Sequence, residues 1–182
     1  MQEKPPNHYV DNVKLYEAIV EHKKKLREAE QNNTEAPRVS EYLGDCFYKI
    51  AENYSYNRKF IQYPFRKDMV MDAVYYCVKY IDTFNPEKTK NPFSYFTTTC
   101  HNAFLQRIEK ERRYLYTKYK AMENHELFDE EENQDNRKKP TNSIDTPTTS
   151  DHTQIKRNEF VEKYEKRLKD LEDKKKGKLN NV

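Results

Sequence analysis

The segment His101–Lys120 carries the most distinctive chemistry in this sequence. It holds six cations and two acids, which gives it a net charge of +4. Aromatic side chains lie within it or just before it, namely Tyr95, Phe96, Tyr114, Tyr116 and Tyr119. Lysine and arginine bind phosphates, and exposed rings stack on unpaired bases. The pattern indicates nucleic-acid binding, with a basic helix end and a core Phe96 as the plainer alternative.

An acidic segment follows directly after this basic one. Residues 123–135 contain seven acids and neither lysine nor arginine, so the overall net charge of +3 conceals a strongly polarised sequence. A stretch rich in serine, threonine and proline then extends to Ser150. Acidic and Ser/Thr/Pro-rich composition is typical of flexible segments. We therefore predict a linker over residues 123–154.

Enzyme chemistry finds little support in the sequence. The five histidines lie in different segments, and no HExxH motif or pair of CxxC motifs is present. Cys100 and His101 are neighbours, but adjacent side chains on a helix point about 100° apart and do not form a ready nucleophile and base. The sequence contains only two glycines, and this low number excludes Gly-rich phosphate loops. We expect neither catalysis, nor a metal, nor a cofactor.

Elements of an all-α fold position these residues. Asp11 or Asn12 is predicted to cap a first helix, residues 31–38 to form a loop, and Ser40 to cap a second helix. The predicted buried stripes of these two helices are Leu15, Ala18, Ile19, His22 and Leu26, then Leu43, Cys46, Phe47, Ile50, Ala51 and Tyr54.

A third helix is predicted from Phe65 to Ile81 and a fourth from Pro92 to Met122, with Asn91 as its cap. A last amphipathic helix is predicted over 155–176, with Val161, Tyr164, Leu168 and Leu171 at helical spacing. The inward stripes expected for the third and fourth helices are Met69, Val70, Ala73, Cys77, Val78 and Ile81, then Phe93, Thr97, Cys100, Phe104, Ile108, Leu115, Tyr119 and Met122.

The apolar content and the cysteines of the sequence predict the cellular compartment of the protein. No apolar run approaches the ~18 residues of a membrane helix, and the N-terminal residues lack the apolar core of a signal peptide. Three widely separated cysteines fit reduced thiols. We expect a cytoplasmic protein without a membrane partner.

The ordered motifs between Asp68 and Ile108 resemble region two of the sigma-70 family of bacterial transcription initiation factors. The segment reads DMVMDAVYYCVKYIDTFNPEKTKNPFSYFTTTCHNAFLQRI. Its matching elements are Asp68 and Asp72, the run from Ile81 to Pro86, the Phe-Ser-x-Phe at a helix start, and Asn102-x-x-Leu-x-Arg-Ile. Small size and the run NAFLQRIEKER make it most similar to the late-transcription sigma factors of T-even-type tailed phages. The resemblance covers residues 9–122.

This resemblance implies a compact helical domain at 9–122 that binds host RNA polymerase core and directs it to late promoters in an infected bacterial cell. Docking on the clamp helices of the largest catalytic subunit would use Asp68, Met71, Asp72, Val74 and Val78. The fourth helix would hold an AT-rich minus-ten-like element of promoter DNA and help to open it. Whether a phage coactivator is also required stays open. The DNA-binding residues would be Tyr95, Asn102, Gln106, Arg107, Lys110, Arg112, Arg113, Tyr114, Tyr116 and Lys120.

The sequence departs from the sigma pattern where many members carry two adjacent tryptophans. Thr99 and Cys100 occupy the matching positions, and the chain has no tryptophan. The ending KKKGKLNNV does not resemble the acidic and hydrophobic clamp-binding tail of some phage late sigma factors. Two other functions stay open at this stage: a general RNA- or single-stranded-DNA-binding helical protein, and an adaptor whose acidic segment mimics nucleic acid.

Overall fold

The computed structural model describes residues 9–135 and 151–179, and within them every regular element is an α-helix. This confirms the all-α fold class. The chain divides into two compact units, Met1–Glu109 and Lys110–Val182. The helices are α1 (Asn12–Gln31), α2 (Glu41–Ser55), α3 (Arg66–Lys79), α4 (Pro92–Asp135) and α5 (Asp151–Leu179).

Helices α1 and α2 begin at the caps that the sequence predicts. The Asp11 carboxylate accepts hydrogen bonds from the backbone N–H groups of Val13 and Lys14. The Ser40 hydroxyl accepts one from the backbone N–H of Leu43. Both contacts satisfy N–H groups that have no partner within the helix. After Gln31 the backbone turns through Asn33, which has a positive φ of 50°, into the predicted loop.

Helix α3 is shorter than predicted and buries a slightly different stripe. It begins after Phe65 and ends at Lys79, and Ile81 is buried from the turn that follows. Val78 was expected to face the core, but it is 37% exposed. Consecutive helical positions are about 100° apart. Since Cys77 is fully buried, Val78 is turned toward solvent.

Aromatic rings from three elements fill the core of the first unit. The largest fully buried side chains include Phe47, Phe84, Phe96 and Phe104. The rings of Phe47 on α2 and Phe96 on α4 lie 4.5 Å apart between centroids. Phe96 therefore belongs to the core, as the plainer reading of the sequence allowed, and it anchors the start of α4.

All three cysteines are buried and free. Cys77 on α3 and Cys100 on α4 bring their Sγ atoms within 3.6 Å, which marks close packing of the two helices. Hydrogen bonding to Cys100 and burial raise the pKa of the Cys77 thiol well above its usual range. A neutral thiol is a poor nucleophile. His101 lies at the edge of this core, where its Nδ1 is 3.0 Å from the Tyr54 hydroxyl.

Helix α4 begins as predicted and ends later than predicted. The Asn91 side chain accepts a hydrogen bond from the N–H of Ser94, and the Asn12 side chain of α1 accepts one from the N–H of Phe93. The helix continues past Met122 to Asp135, so residues 123–135 are helical where a linker was expected. No glycine or proline interrupts this acidic stretch, and glutamate favours helix. Of the remaining predicted linker residues, 136–150 lie outside the described ones and 151–154 belong to α5.

In the second unit, the later part of α4 packs against α5 through aromatic rings. Tyr116 and Tyr164 lie 4.9 Å apart between ring centroids, and Tyr119 meets Phe160 at 5.7 Å. Helix α5 extends beyond the predicted range 155–176 at both ends. Of its predicted apolar stripe, Val161 and Tyr164 are buried, whereas Leu168 and Leu171 are exposed. Met122, which was predicted to face inward from α4, is exposed as well. No described helix is long and apolar enough to cross a membrane.

Candidate functional site

A groove of about 710 Å³ opens in the first unit between α3, the loop after it and the first turns of α4. It takes in three residues of the predicted DNA-binding set: Tyr95, Asn102 and Gln106. Its full lining is Tyr76, Tyr80, Thr89, Asn91, Ser94, Tyr95, Thr98, Thr99, Asn102, Ala103 and Gln106. Hydroxyl groups, side-chain amides and three tyrosine rings thus surround one concavity.

One wall of the groove is aromatic. The rings of Tyr76 and Tyr80 are nearly parallel, with an interplanar angle of 10° and 5.9 Å between centroids. The Lys79 Nζ lies 5.7 Å from the Tyr80 ring centroid. The Tyr95 ring packs on the buried Phe84 and its hydroxyl is 2.7 Å from the Thr83 hydroxyl. Tyrosine faces held in this way can stack on unpaired bases.

The other wall consists of α4 side chains with hydrogen-bonding groups. Asn102 and Gln106 are exposed and one turn apart, and an amide both donates and accepts hydrogen bonds at a base edge. Thr99 is half-buried and lines the groove, whereas Cys100 is fully buried. Of the two positions that match the tryptophan pair of sigma factors, only Thr99 therefore faces this groove.

An ion-pair bridge lies one helical turn beyond Ala103 of the groove. The Arg107 guanidinium contacts the Asp72 carboxylate at 3.1 Å and the Asp68 carboxylate at 3.2 Å. The Arg107 side chain is 18% exposed, and those of Asp68 and Asp72 are 59% and 38% exposed. Asp68 is therefore exposed, whereas Asp72 is half-buried. A residue predicted to bind DNA is here paired with two residues predicted to bind polymerase.

The outer face of α3 presents the remaining predicted docking residues. Met71 is 60% exposed and Val78, two turns later on the same face, is also exposed, whereas Val74 is half-buried and packs on the core. Tyr75 is also exposed on this face. Tyr75 lies one turn after Met71 but was not among the predicted docking residues. The face combines apolar side chains with the Asp68 carboxylate.

The predicted DNA-binding residues of the second unit fall into two groups, one exposed and one paired with acidic side chains. Lys110, Arg112, Arg113 and Tyr114 are exposed. Tyr116 donates a hydrogen bond to Glu165 at 3.0 Å, and Lys120 Nζ contacts the same carboxylate at 3.1 Å. The hydrogen bonds that Lys120 donates to the Glu123 and Glu165 carboxylates raise the pKa of Lys120, and the hydrogen bonds that Glu165 accepts from Lys120 and Tyr116 lower the pKa of Glu165.

The sequence missed two groove residues, Tyr76 and Tyr80. Tyr76 lies one turn after Asp72 on α3 and Tyr80 follows the last residue of that helix, but this spacing alone does not show which rings line a groove. Among the described residues, no group of three or more histidine, cysteine or acidic side chains is placed to hold a metal ion. No protein-family model matches the sequence. The curated proteins contain no match either.

Proposed function

We propose that this protein is a sigma-type specificity subunit of RNA polymerase, of the kind that phages use for late transcription. In this proposal it binds the host core enzyme in the cytoplasm of an infected bacterium and holds an unpaired AT-rich promoter strand. The observation that carries the proposal is the groove, in which three tyrosine rings and two side-chain amides surround a volume of about 710 Å³. Such a lining suits unpaired bases.

The presence of an exposed apolar face that is separate from the groove supports the same proposal. The outer face of α3, with Met71, Tyr75 and Val78, is apolar and exposed, and it is distinct from the groove lining. An exposed apolar face beside a carboxylate is suited to a protein partner with a cationic rim. The clamp helices of the largest polymerase subunit are the partner that the sequence resemblance implies.

The direct test combines association with activity. Tagged protein is mixed with purified host core polymerase, co-purified, and then assayed for run-off transcription on DNA of the phage itself. We expect a stable complex and transcripts that begin at defined sites. A protein that binds single-stranded DNA equally well with or without core, and supports no initiation, would instead be a general single-strand-binding protein.

The exposed cations of the second unit are proposed to contact phosphates. Replacing both Arg112 and Arg113 by alanine should weaken binding of the polymerase complex to many duplex sequences alike. The slope of log K against log salt should fall by up to about 2, because each lost phosphate contact removes about 0.9. Fluorescence anisotropy over a salt series measures it. Lys156→Ala with Lys166→Ala, two exposed cations of α5, is the charge-matched control. An unchanged slope for the arginine variant would remove these residues from the interface.

A further inference from the structure

Lys23 on α1 holds the backbone segment that follows α3. Its Nζ donates hydrogen bonds to the backbone carbonyls of Asp82 and Phe84, at 2.7 and 2.6 Å. The two contacts span 59 and 61 positions of the sequence, and Lys23 is half-buried. A hydrogen bond from a charged donor is stronger than one between neutral groups. One side chain of α1 therefore fixes the backbone on both sides of Thr83.

Thr83, which lies between these two carbonyls, connects two tyrosines of the groove. Its hydroxyl is 2.8 Å from the Tyr80 backbone carbonyl and 2.7 Å from the Tyr95 hydroxyl. Because a hydroxyl has a single proton, Thr83 donates to the carbonyl and accepts from Tyr95. The neighbouring Phe84 is fully buried, and its ring packs against the Tyr95 ring with 5.3 Å between centroids. The segment that Lys23 fixes therefore sets the orientation of the Tyr95 ring in the groove.

Two further contacts show that α1 supports the groove from outside its lining. The Tyr16 hydroxyl donates a hydrogen bond to the Pro86 carbonyl at 3.3 Å, and the Asn12 side chain accepts one from the N–H of Phe93. The groove lining includes none of the three α1 residues Asn12, Tyr16 and Lys23. Lys23 differs from the other two because its contacts bracket Thr83. Its effect on the groove is therefore exerted through the 82–84 segment.

We propose that Lys23 is a positioning residue for the strand that the groove binds; this inference rests on the proposed function. Lys23 does not touch the strand but fixes Thr83 and Phe84, which present the Tyr95 ring to an unpaired base. A ring that is held in its binding orientation beforehand loses less conformational freedom on binding than a mobile one. Without Lys23, part of the binding free energy is used to order the 82–84 segment and the Tyr95 ring.

The test compares strand binding by two lysine variants of the full-length protein in complex with core polymerase. Lys23→Met keeps the aliphatic stem and removes both hydrogen bonds. Its affinity for a labelled, premelted AT-rich template should fall by about 2- to 12-fold, which corresponds to ordering one side chain on binding. The slope of log K against log salt should stay at the wild-type value, since no phosphate contact is lost. Lys24→Met removes the same charge from a neighbouring side chain that is 77% exposed, and it should bind as the wild type does.

A double-mutant cycle separates positioning of Tyr95 from a general loss of stability. Tyr95→Ala removes the ring on which Lys23 is proposed to act, so adding Lys23→Met to it should lower the affinity no further. Thr83→Val removes the hydroxyl link at an exposed site, and it should weaken binding as Lys23→Met does without adding to it. Lys23→Arg keeps a cation with several donors and should restore most of the affinity. All affinities are measured below the melting temperature of each variant, as determined by circular dichroism.

The inference is overturned if Lys23→Met binds like Lys24→Met, or if its loss is the same with and without the Tyr95 ring. It is also overturned if Lys23→Met lowers the salt slope by about 0.7, because Lys23 would then contact a phosphate of the single strand itself. A wild type that supports initiation and depends on Tyr95, together with an unchanged affinity of Lys23→Met, rejects only the positioning role. A strand affinity that does not depend on Tyr95 rejects the proposed groove and the positioning role together.

Discussion

Replacing Tyr80 by alanine should lower the affinity of the polymerase-bound protein for an unpaired AT-rich strand by about 5- to 150-fold. This range corresponds to the ~1–3 kcal/mol that one base gains by stacking on an aromatic side chain. Tyr80 forms the groove wall together with Tyr76, and its side chain is 37% exposed. Because the ring is accessible, its loss should affect stability much less than binding. Stacking releases no counterions, so the salt slope should stay at the wild-type value.

The measurement compares two templates and one matched variant. Affinity and initiation are determined on fully paired promoter DNA and on the same DNA with a premelted minus-ten-like region. Tyr42→Ala is the control, since Tyr42 is comparably exposed at 42% and lies on α2, where it lines neither the groove nor the surface around Met71. A loss that is equal for Tyr42→Ala and Tyr80→Ala, or absent from the premelted template, would show that the groove does not hold the strand.

Local chemistry explains why the helices of the first unit were predictable. Asp11, Ser40 and Asn91 are short polar side chains that satisfy free N–H groups at helix starts, and the structure places all three as caps. The apolar spacing of α2 identified six positions, of which five are buried and Tyr54 is half-buried. These features act within a few residues of one another. These caps and apolar stripes can therefore be predicted from short stretches of sequence.

The prediction that α4 ends at Met122 was wrong. Acidic composition suggested a solvated linker after Met122, but the same residues lack helix breakers, and the helix continues to Asp135. Net charge alone therefore does not predict backbone conformation. Helix propensity of glutamate, summed over the segment, was the better guide there.

The partners of the candidate site residues depend on contacts between distant segments, which spacing alone does not contain. Arg107 meets Asp72 across 35 positions, and Tyr116 meets Glu165 across 49. Arg107 and Tyr116 were predicted to bind DNA and Asp72 to bind polymerase, whereas Glu165 was given no role. The structure instead shows that Arg107, Tyr116 and Lys120 have acidic partners within the chain. Tyr76 and Tyr80 became candidates only once α3 was set against α4.

Replacing Met71 by lysine should abolish co-purification with core polymerase, with an affinity loss of about 100-fold or more. Met71 is 60% exposed in the middle of the outer face of α3. A lysine there removes an apolar contact and places a positive charge toward a partner whose cations are proposed to meet Asp68. Like charges brought together at an interface cost several kcal/mol, and about 1.4 kcal/mol corresponds to each factor of ten.

Met71→Lys is a sharper test of docking than reversing the charge of Asp68 and Asp72. Lysines at those two positions would also confront Arg107, so a failure to bind could follow from local misfolding. A surface change at Met71 should leave the free energy of unfolding within about 0.5 kcal/mol of the wild type. Val20→Lys, an exposed apolar position on α1, is the control and should co-purify normally. If Met71→Lys melts like the wild type and still co-purifies with core, polymerase does not dock on this face of α3. The apolar exposure of Met71, Tyr75 and Val78 would then belong to another partner.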